Sequence, residues 1–255
     1  IEQILDEICD LVRRAAQLRS LRLPTVGSLN NCRGDWFELL SAAVFWNSSV
    51  RAREDTDLVI VKLPSASSLN FRELYEPNTK QIIDDLLRRL DEKGVTLFTS
   101  NPDFICVVNL TWDQLPEEFN RELNNLNPEN IELLRSAYKE LVGKCRFDST
   151  RAYLSCKTST RPNRRYQLVY EANFFKTIVG YLNRRVGGSS FRPKFFCFTT
   201  LPNDVDEKVL KTALFNTLIS DEFEPSVDKL VLVETIEDLY DLATEVIEDV
   251  LSFES

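Results

Sequence analysis

Three short segments of the 255-residue chain carry side chains that could do chemistry together. Asp103 follows Pro102 at the head of the apolar run 104–110. Ser155-Cys156-Lys157 closes another alternating stretch, and Glu171 lies fourteen residues beyond Lys157. An acid at the start of one strand and a lysine at the end of its neighbour can face one cleft. Ser155 and Lys157, two positions apart, share a strand face. Metal-assisted phosphodiester hydrolysis calls for this set of groups. Hard carboxylate oxygens hold Mg²⁺ and leave positions for water and phosphate. The ion stabilises charge at phosphorus and lowers the pKa of the attacking water. A nearby lysine orients that water or offsets developing charge. Taken singly, each piece has an ordinary reading: Asn101-Pro102-Asp103 as a turn, Ser155 and Lys157 as an incidental strand pattern, Glu171 as a solvated helix acid.

The elements that must position these groups follow from periodicity. Ile4, Leu5, Ile8, Leu11, Val12 and Ala15 recur at helical spacing over 1–20, and 34–47 reads as a second, largely buried helix. Asp57–Leu63 reads as a strand, and 78–92 as an acidic amphipathic helix closed by Gly94. Two short strands, 95–98 and 104–110, flank a reversal at Ser100-Asn101-Pro102-Asp103. Polar helices broken by Asn and Pro fill 115–142. Ala152–Thr158 alternates as a strand, and 162–185 follows as a helix. Strands at 193–200 and 229–235 and helices near 205–219 and 234–252 complete the order. With no repeat and no interdomain linker, the expectation is one mixed α/β domain over 1–255. A helical portion, 1–50, precedes a core, 51–255, built on a small central sheet with helices on both faces.

Composition narrows the partners. The chain carries −9 overall, which argues superficially against nucleic acid. Yet Lys144–Lys194 holds twelve Lys/Arg against two acids, Asp148 and Glu171, leaving −19 for the rest. One basic face on an acidic body suits a polyanion; the ordinary alternative is a solvated helix surface. The 255 residues include no histidine, so they build neither a His general base nor a Ser-His-Asp triad. The six cysteines form no C-x-x-C pair and read as reduced thiols. No segment reaches the roughly 20 apolar residues that span a bilayer. No basic-then-apolar leader opens the sequence, so a cytoplasmic protein is expected.

The run Ser155–Glu171, SCKTSTRPNRRYQLVYE, resembles the CCGG-cutting branch of PD-(D/E)-x-K restriction endonucleases, most of all the enzymes that cut purine-CCGG-pyrimidine. In that branch Ser replaces the second strand acid and the following helix supplies the carboxylate. Three further blocks agree: Cys32–Glu38 (CRGDWFE), IVKLPSASSLNF at 60–71 and TSNPDF at 99–104. The resemblance implies a restriction-endonuclease-like fold and a Type II endonuclease of a prokaryotic restriction-modification system. Double-stranded DNA would be the partner and Mg²⁺ the cofactor. The chain would act as a homodimer on a palindrome, with two dimers able to join as a tetramer. It makes Asp103 and Glu171 the metal ligands and Lys157 the catalytic lysine, with Ser155 at the vacated acid position. Glu38 becomes a further active-site acid, or else a part-buried helix acid paired with a basic neighbour. Arg161 and Arg164 would read guanine O6 and N7 from the major groove, with Arg165 nearby for bases or phosphates; the alternative is phosphate contact alone. One departure stands out: Asn163 sits where the family carries Asp. Asn offers one acceptor oxygen and a donor amide, a poorer match to two cytosine amino groups. A non-cleaving DNA-binding protein and a structure-specific repair nuclease are the rival functions.

Overall fold

The computed structural model describes the chain except for residues 54–55, 110–114, 188–190, 203–205, 216, 218–222 and 253–255. Five strands form one sheet in the order β1 (Leu58–Lys62), β2 (Phe104–Val108), β3 (Thr150–Lys157), β4 (Lys194–Thr199) and β5 (Lys229–Leu232). The β1/β2 and β2/β3 pairs are antiparallel, whereas β3/β4 and β4/β5 are parallel, so the sheet is mixed. All five residues of β2 are buried, which explains why its sequence is apolar throughout rather than alternating.

Two long helices cover opposite sides of this sheet. On one side α2 (Val26–Ala52) places Phe37 and Phe45 against Phe104 and Phe198, with edge-to-face contacts at 5.1–5.6 Å between ring centroids. On the other, α5 (Pro162–Val186) stacks Phe175 on Tyr153 at 4.4 Å, and Phe71 meets both Phe174 and Phe175. Each such aromatic pair contributes about 0.5–1.5 kcal/mol beyond the area it buries. The edge strand β1 is partly capped by α2: Ser49 Oγ accepts from the Ile60 amide at 3.0 Å, occupying a donor that would otherwise face outward. The N-terminal α1 (Glu2–Leu18) and the C-terminal α7 (Ile236–Leu251) also pack on α2. Helices α3 (Pro77–Asp91), α4 (Pro128–Ser136) and the short α6 (Asp206–Leu210) complete the molecule.

Most of the elements read from the sequence are present, and four differ. Residues 95–98 form no strand, because β2 already pairs with β1 on one side and β3 on the other. Gly94 closes α3 at φ +70°, and the chain then runs irregularly to Asp103. Helix α2 begins at Val26 rather than 34. Thr25 caps it, its hydroxyl accepting from the Ser28 amide, and the polar first turns carry no apolar period. The expected helix at 205–219 extends only over Asp206–Leu210. Its continuation folds back instead, with Ser226 N donating to Thr212 O and Leu214 N to Glu224 O. Positions 205, 216, 218 and 219 of that helix, and Leu110 of the strand 104–110, lie outside the described residues. The 115–142 region breaks into a 3₁₀ turn at Glu117–Asn120, α4 and a second 3₁₀ turn at Ala137–Leu141. All six cysteines are free, and no helix among the described residues is long and apolar enough to cross a membrane.

Candidate active site

Asp103 stands where the irregular segment enters β2, and the turn before it is tied down from three directions. Asn101 Nδ2 donates to the carbonyl oxygens of Pro64 (2.9 Å) and Leu69 (2.6 Å), while its Oδ1 accepts from the Phe71 amide at 3.0 Å. Leu63 N donates to the Asp103 carbonyl at 2.9 Å. The Asn-Pro-Asp turn is therefore a knot that fixes the acid at the start of the central strand β2, and Asn101 is the residue that ties it.

The antiparallel β2/β3 register puts Phe104 opposite Leu154, which brings Asp103 beside the end of β3. There Asp103 Oδ2 accepts from the Cys156 amide at 2.6 Å and from Lys157 Nζ at 2.7 Å. Ser155 Oγ lies 3.2 Å from the same oxygen and 3.3 Å from Glu171 Oε2, so its single hydrogen serves one carboxylate or the other. Glu171 arrives from α5, only 2% exposed. Its Oε1 accepts from Ser100 Oγ and Gln167 Nε2, both at 2.9 Å. Asp103, Ser155, Lys157 and Glu171, drawn from three separate segments, thus form one hydrogen-bonded cluster.

Burial and mutual charge set the electrostatics. Burial pushes the Glu171 carboxyl up from its ordinary value; the Lys157 ammonium and the bonds from Gln167 and Ser100 oppose that, and Asp103 reinforces it. Burial alone would lower Lys157, but the charges of Asp103 and Glu171 outweigh it and hold the ammonium above its ordinary range. Glu38, on α2, pairs with Lys62 Nζ of β1 at 2.5 Å. Its carboxyl is raised first by burial and then by the field of Asp103, with Lys62 and Lys157 pulling it back. Glu38 therefore sits within the electrostatic reach of the cluster, and it also has the basic neighbour that its alternative reading named.

The fit to a metal can be judged from the acceptor oxygens. Asp103 Oδ1 receives no hydrogen bond among the described residues, and Glu171 Oε2 receives only the long one from Ser155. Two hard carboxylate oxygens suit Mg²⁺, which commonly takes one or two protein carboxylates and fills its octahedron with water and phosphate. No three His, Cys, Asp or Glu side chains among the described residues converge into an all-protein cage. The donor set is thus that of an open site.

A cleft of about 720 Å³ adjoins the cluster, with Arg33, Glu38, Lys157, Arg161, Asn163 and Arg164 among its walls. Arg161 occupies the N-cap position of α5 without a side-chain capping bond, and Pro162 opens the first helical turn, where its fixed φ suits. Arg161, Asn163 and Arg164 are exposed there. Arg165 is not with them. Its Nε pairs with the fully buried Asp206, which also accepts from Thr160 Oγ1, so this arginine anchors the α5 turn inward. Sequence reasoning did not single out Lys62, Ser100 or Gln167. Gln167 had a usable signal in its i, i+4 spacing to Glu171; Lys62 had one in its place as the sole charge within the apolar run of β1.

Comparison with known proteins places the fold in a family. A family model for the Cfr10I/Bse634I restriction endonucleases matches residues 1–249. The Type II restriction enzyme Cfr10I of Citrobacter freundii is 28% identical over 228 residues, covering 84% of this chain and 76% of that protein. The Type IIF restriction endonuclease Bse634I, solved with cognate DNA, superposes with a TM-score of 0.90 at 31% identity, covering 97% of this chain and 86% of that one. A second Bse634I structure gives 0.88 at 30% identity, covering 96% and 85%. With the mixed sheet, its flanking helices and the helical N-terminal portion all shared, the chain belongs to the Cfr10I/Bse634I family of restriction endonucleases, Type II enzymes that hydrolyse DNA.

Proposed function

We propose that this enzyme uses Mg²⁺ to cut double-stranded DNA at a CCGG-centred palindrome, with purine-CCGG-pyrimidine as the full site. The observation that carries the reading is the junction of two devices on α5. Its first turn presents Arg161, Asn163 and Arg164, and two turns later Glu171 enters the Asp103–Lys157 cluster. A base reader and one member of a phosphate-cutting centre on the same helix are what a sequence-specific nuclease needs. That Bse634I has been solved with cognate DNA supports DNA as the partner.

In this reading Asp103 and Glu171 hold the ion. When bound, Mg²⁺ supplies charge stabilisation at the scissile phosphate and a lowered pKa for the attacking water. Lys157 donates a hydrogen bond to that water or to the phosphate oxygens. Ser155 places a neutral hydroxyl between the two carboxylates where an acid would add a third charge. Glu38 stands by as a further acid whose partner is Lys62. Arg161 and Arg164 bond guanine edges; Arg165 is left out because its guanidinium is paired with Asp206 inside the protein. Cutting before the first C leaves a four-base 5′ overhang. A palindrome calls for a two-fold protein, so the unit is a homodimer, with a dimer of dimers extending it. The reading includes the prokaryotic cytoplasm as the compartment in which the enzyme would meet its DNA.

The test is plasmid cleavage followed by end mapping. Plasmids with and without purine-CCGG-pyrimidine sites are incubated with Mg²⁺ or with EDTA. The reading predicts Mg²⁺-dependent cuts at those sites alone. Binding without cutting, or cuts at junctions irrespective of sequence, would overturn it.

A further inference from the structure

We propose that Gln167 is a positioning residue that couples the Arg164 guanidinium to the Glu171 carboxylate, so that the base-reading turn sets the orientation of a metal ligand. The inference deepens the reading above and rests on it. Arg164, Gln167 and Glu171 lie at i, i+3 and i+7 on α5, one stripe of the helix. Arg164 Nη1 donates to Gln167 Oε1 at 3.0 Å, and Gln167 Nε2 donates to Glu171 Oε1 at 2.9 Å.

The chemistry of the two neighbours fixes how the amide must face. A guanidinium has only donors and an ionised carboxylate only acceptors. A side chain that joins them end to end needs an acceptor and a donor at its tip, which a carboxamide has and a carboxylate, ammonium or aliphatic group has not. The amide cannot be flipped without placing donor against donor and acceptor against acceptor. Together with Ser100, Gln167 occupies Oε1, which turns Oε2 toward Ser155 and Asp103.

Arg164 uses one terminal nitrogen on Gln167, leaving the rest of its fork for a base edge. A cognate base that holds the fork outward keeps that bond and, through the amide, the carboxylate orientation. A wrong base that draws the guanidinium elsewhere releases the amide and loosens Glu171. Discrimination then appears in the cleavage step as well as in binding.

The experiment measures two quantities for wild type, Gln167→Met and Gln167→Glu. One is the single-turnover cleavage rate at saturating cognate duplex across a Mg²⁺ titration. The other is the affinity for that duplex in EDTA. Gln167→Met keeps length and removes both bonds; Gln167→Glu keeps the acceptor for Arg164 and loses the donor to Glu171. Both are expected to lower the cleavage rate, or to raise the Mg²⁺ needed, by about 10–100-fold. Duplex affinity stays within about threefold, since cognate affinity rests on base and phosphate contacts that these changes spare. Adding Gln167→Met to Arg164→Ala should cost little beyond Arg164→Ala alone, because the chain is already broken. Wild-type rate and Mg²⁺ dependence in either Gln167 variant overturn the coupling. An equal loss of rate and EDTA affinity overturns it too, since that marks a merely structural role. The controls keep the two claims apart: a wild-type enzyme that does not cut, or a Glu171→Ala variant that cuts normally, defeats the functional reading itself.

Discussion

At the scale of single residues, the site is defined by where acids are and are not. Ser155 Oγ touches both Asp103 and Glu171, so β3 comes within hydrogen-bond reach of the place where the second carboxylate is needed, yet supplies a hydroxyl. Moving the acid back onto the strand, as Ser155→Glu in a Glu171→Ala background, should recover part of the Mg²⁺-dependent cleavage that Glu171→Ala loses. A double variant no more active than Glu171→Ala would show that the strand position cannot hold a ligand. Asn163 raises a different question. If the first turn of α5 meets a CCGG core as proposed, the Asn163 oxygen accepts from one cytosine amino group and its own amide then faces the second donor. A mismatched contact of this kind costs about 1–3 kcal/mol, or roughly 5- to 150-fold in affinity. Asn163→Asp is therefore expected to tighten CCGG binding and sharpen discrimination against substituted cytosines, measured by competition binding on single-base variants. Weaker CCGG binding, or a preference moved to another sequence, would mean that Asn163 reads a different base.

At the scale of elements, the first turn of α5 is held by a buried ion pair. Arg165 has 14% of its side chain exposed and Asp206 none, with Thr160 as a third member. Removing one partner of such a pair leaves the other charge unmatched, a loss of about 3 kcal/mol at the lower end for buried pairs. In a chain of this size that corresponds to a fall in Tm on the order of 10 °C. Asp206→Ala should show that fall by thermal unfolding, together with weaker specific binding; an unchanged Tm would show that the pair does not anchor the turn. Much of this architecture could be read from the sequence. Helices α1, α3, α5 and α7 could be read from helical patterning and the five strands from short apolar or alternating runs. Asp103, Lys157 and Glu171 stood out by type and spacing, but their roles came from the family resemblance. What stayed hidden depended on neighbours far along the chain. The 95–98 segment is apolar enough for a strand, but the sheet has no free edge for it beside β2. The start of α2 is polar because its first turns do not face the core. Lys62 and Ser100 matter through Glu38 and Glu171, which folding brings to them from far along the chain, whereas Gln167 meets neighbours on its own helix.

At the scale of the whole molecule, a protein of net charge −9 can still bind a polyanion because its basic residues are concentrated in Lys144–Lys194, which includes β3, α5 and the start of β4. That stretch carries Lys157 and the cleft-lining Arg161 and Arg164, so in the proposed reading the local field would favour DNA at the cleft while the acidic remainder would repel it elsewhere. A palindromic target requires two such faces related by two-fold symmetry. If pairs of dimers also join, the enzyme holds two DNA sites at once. It should then run as a tetramer in light scattering and cut a two-site plasmid faster than a one-site plasmid. A dimer with equal rates on both substrates would remove the tetramer from the account.

The most direct test of the central claim is to compare cleavage and binding in three variants, Asp103→Ala, Lys157→Ala and Glu171→Ala, on one cognate duplex. In the proposed mechanism all three groups act on the scissile phosphate rather than on base edges. The account predicts that each variant loses Mg²⁺-dependent cleavage while a gel shift still shows sequence-specific binding. Near wild-type cutting by any one of them would contradict the assignment of this cluster as the active site.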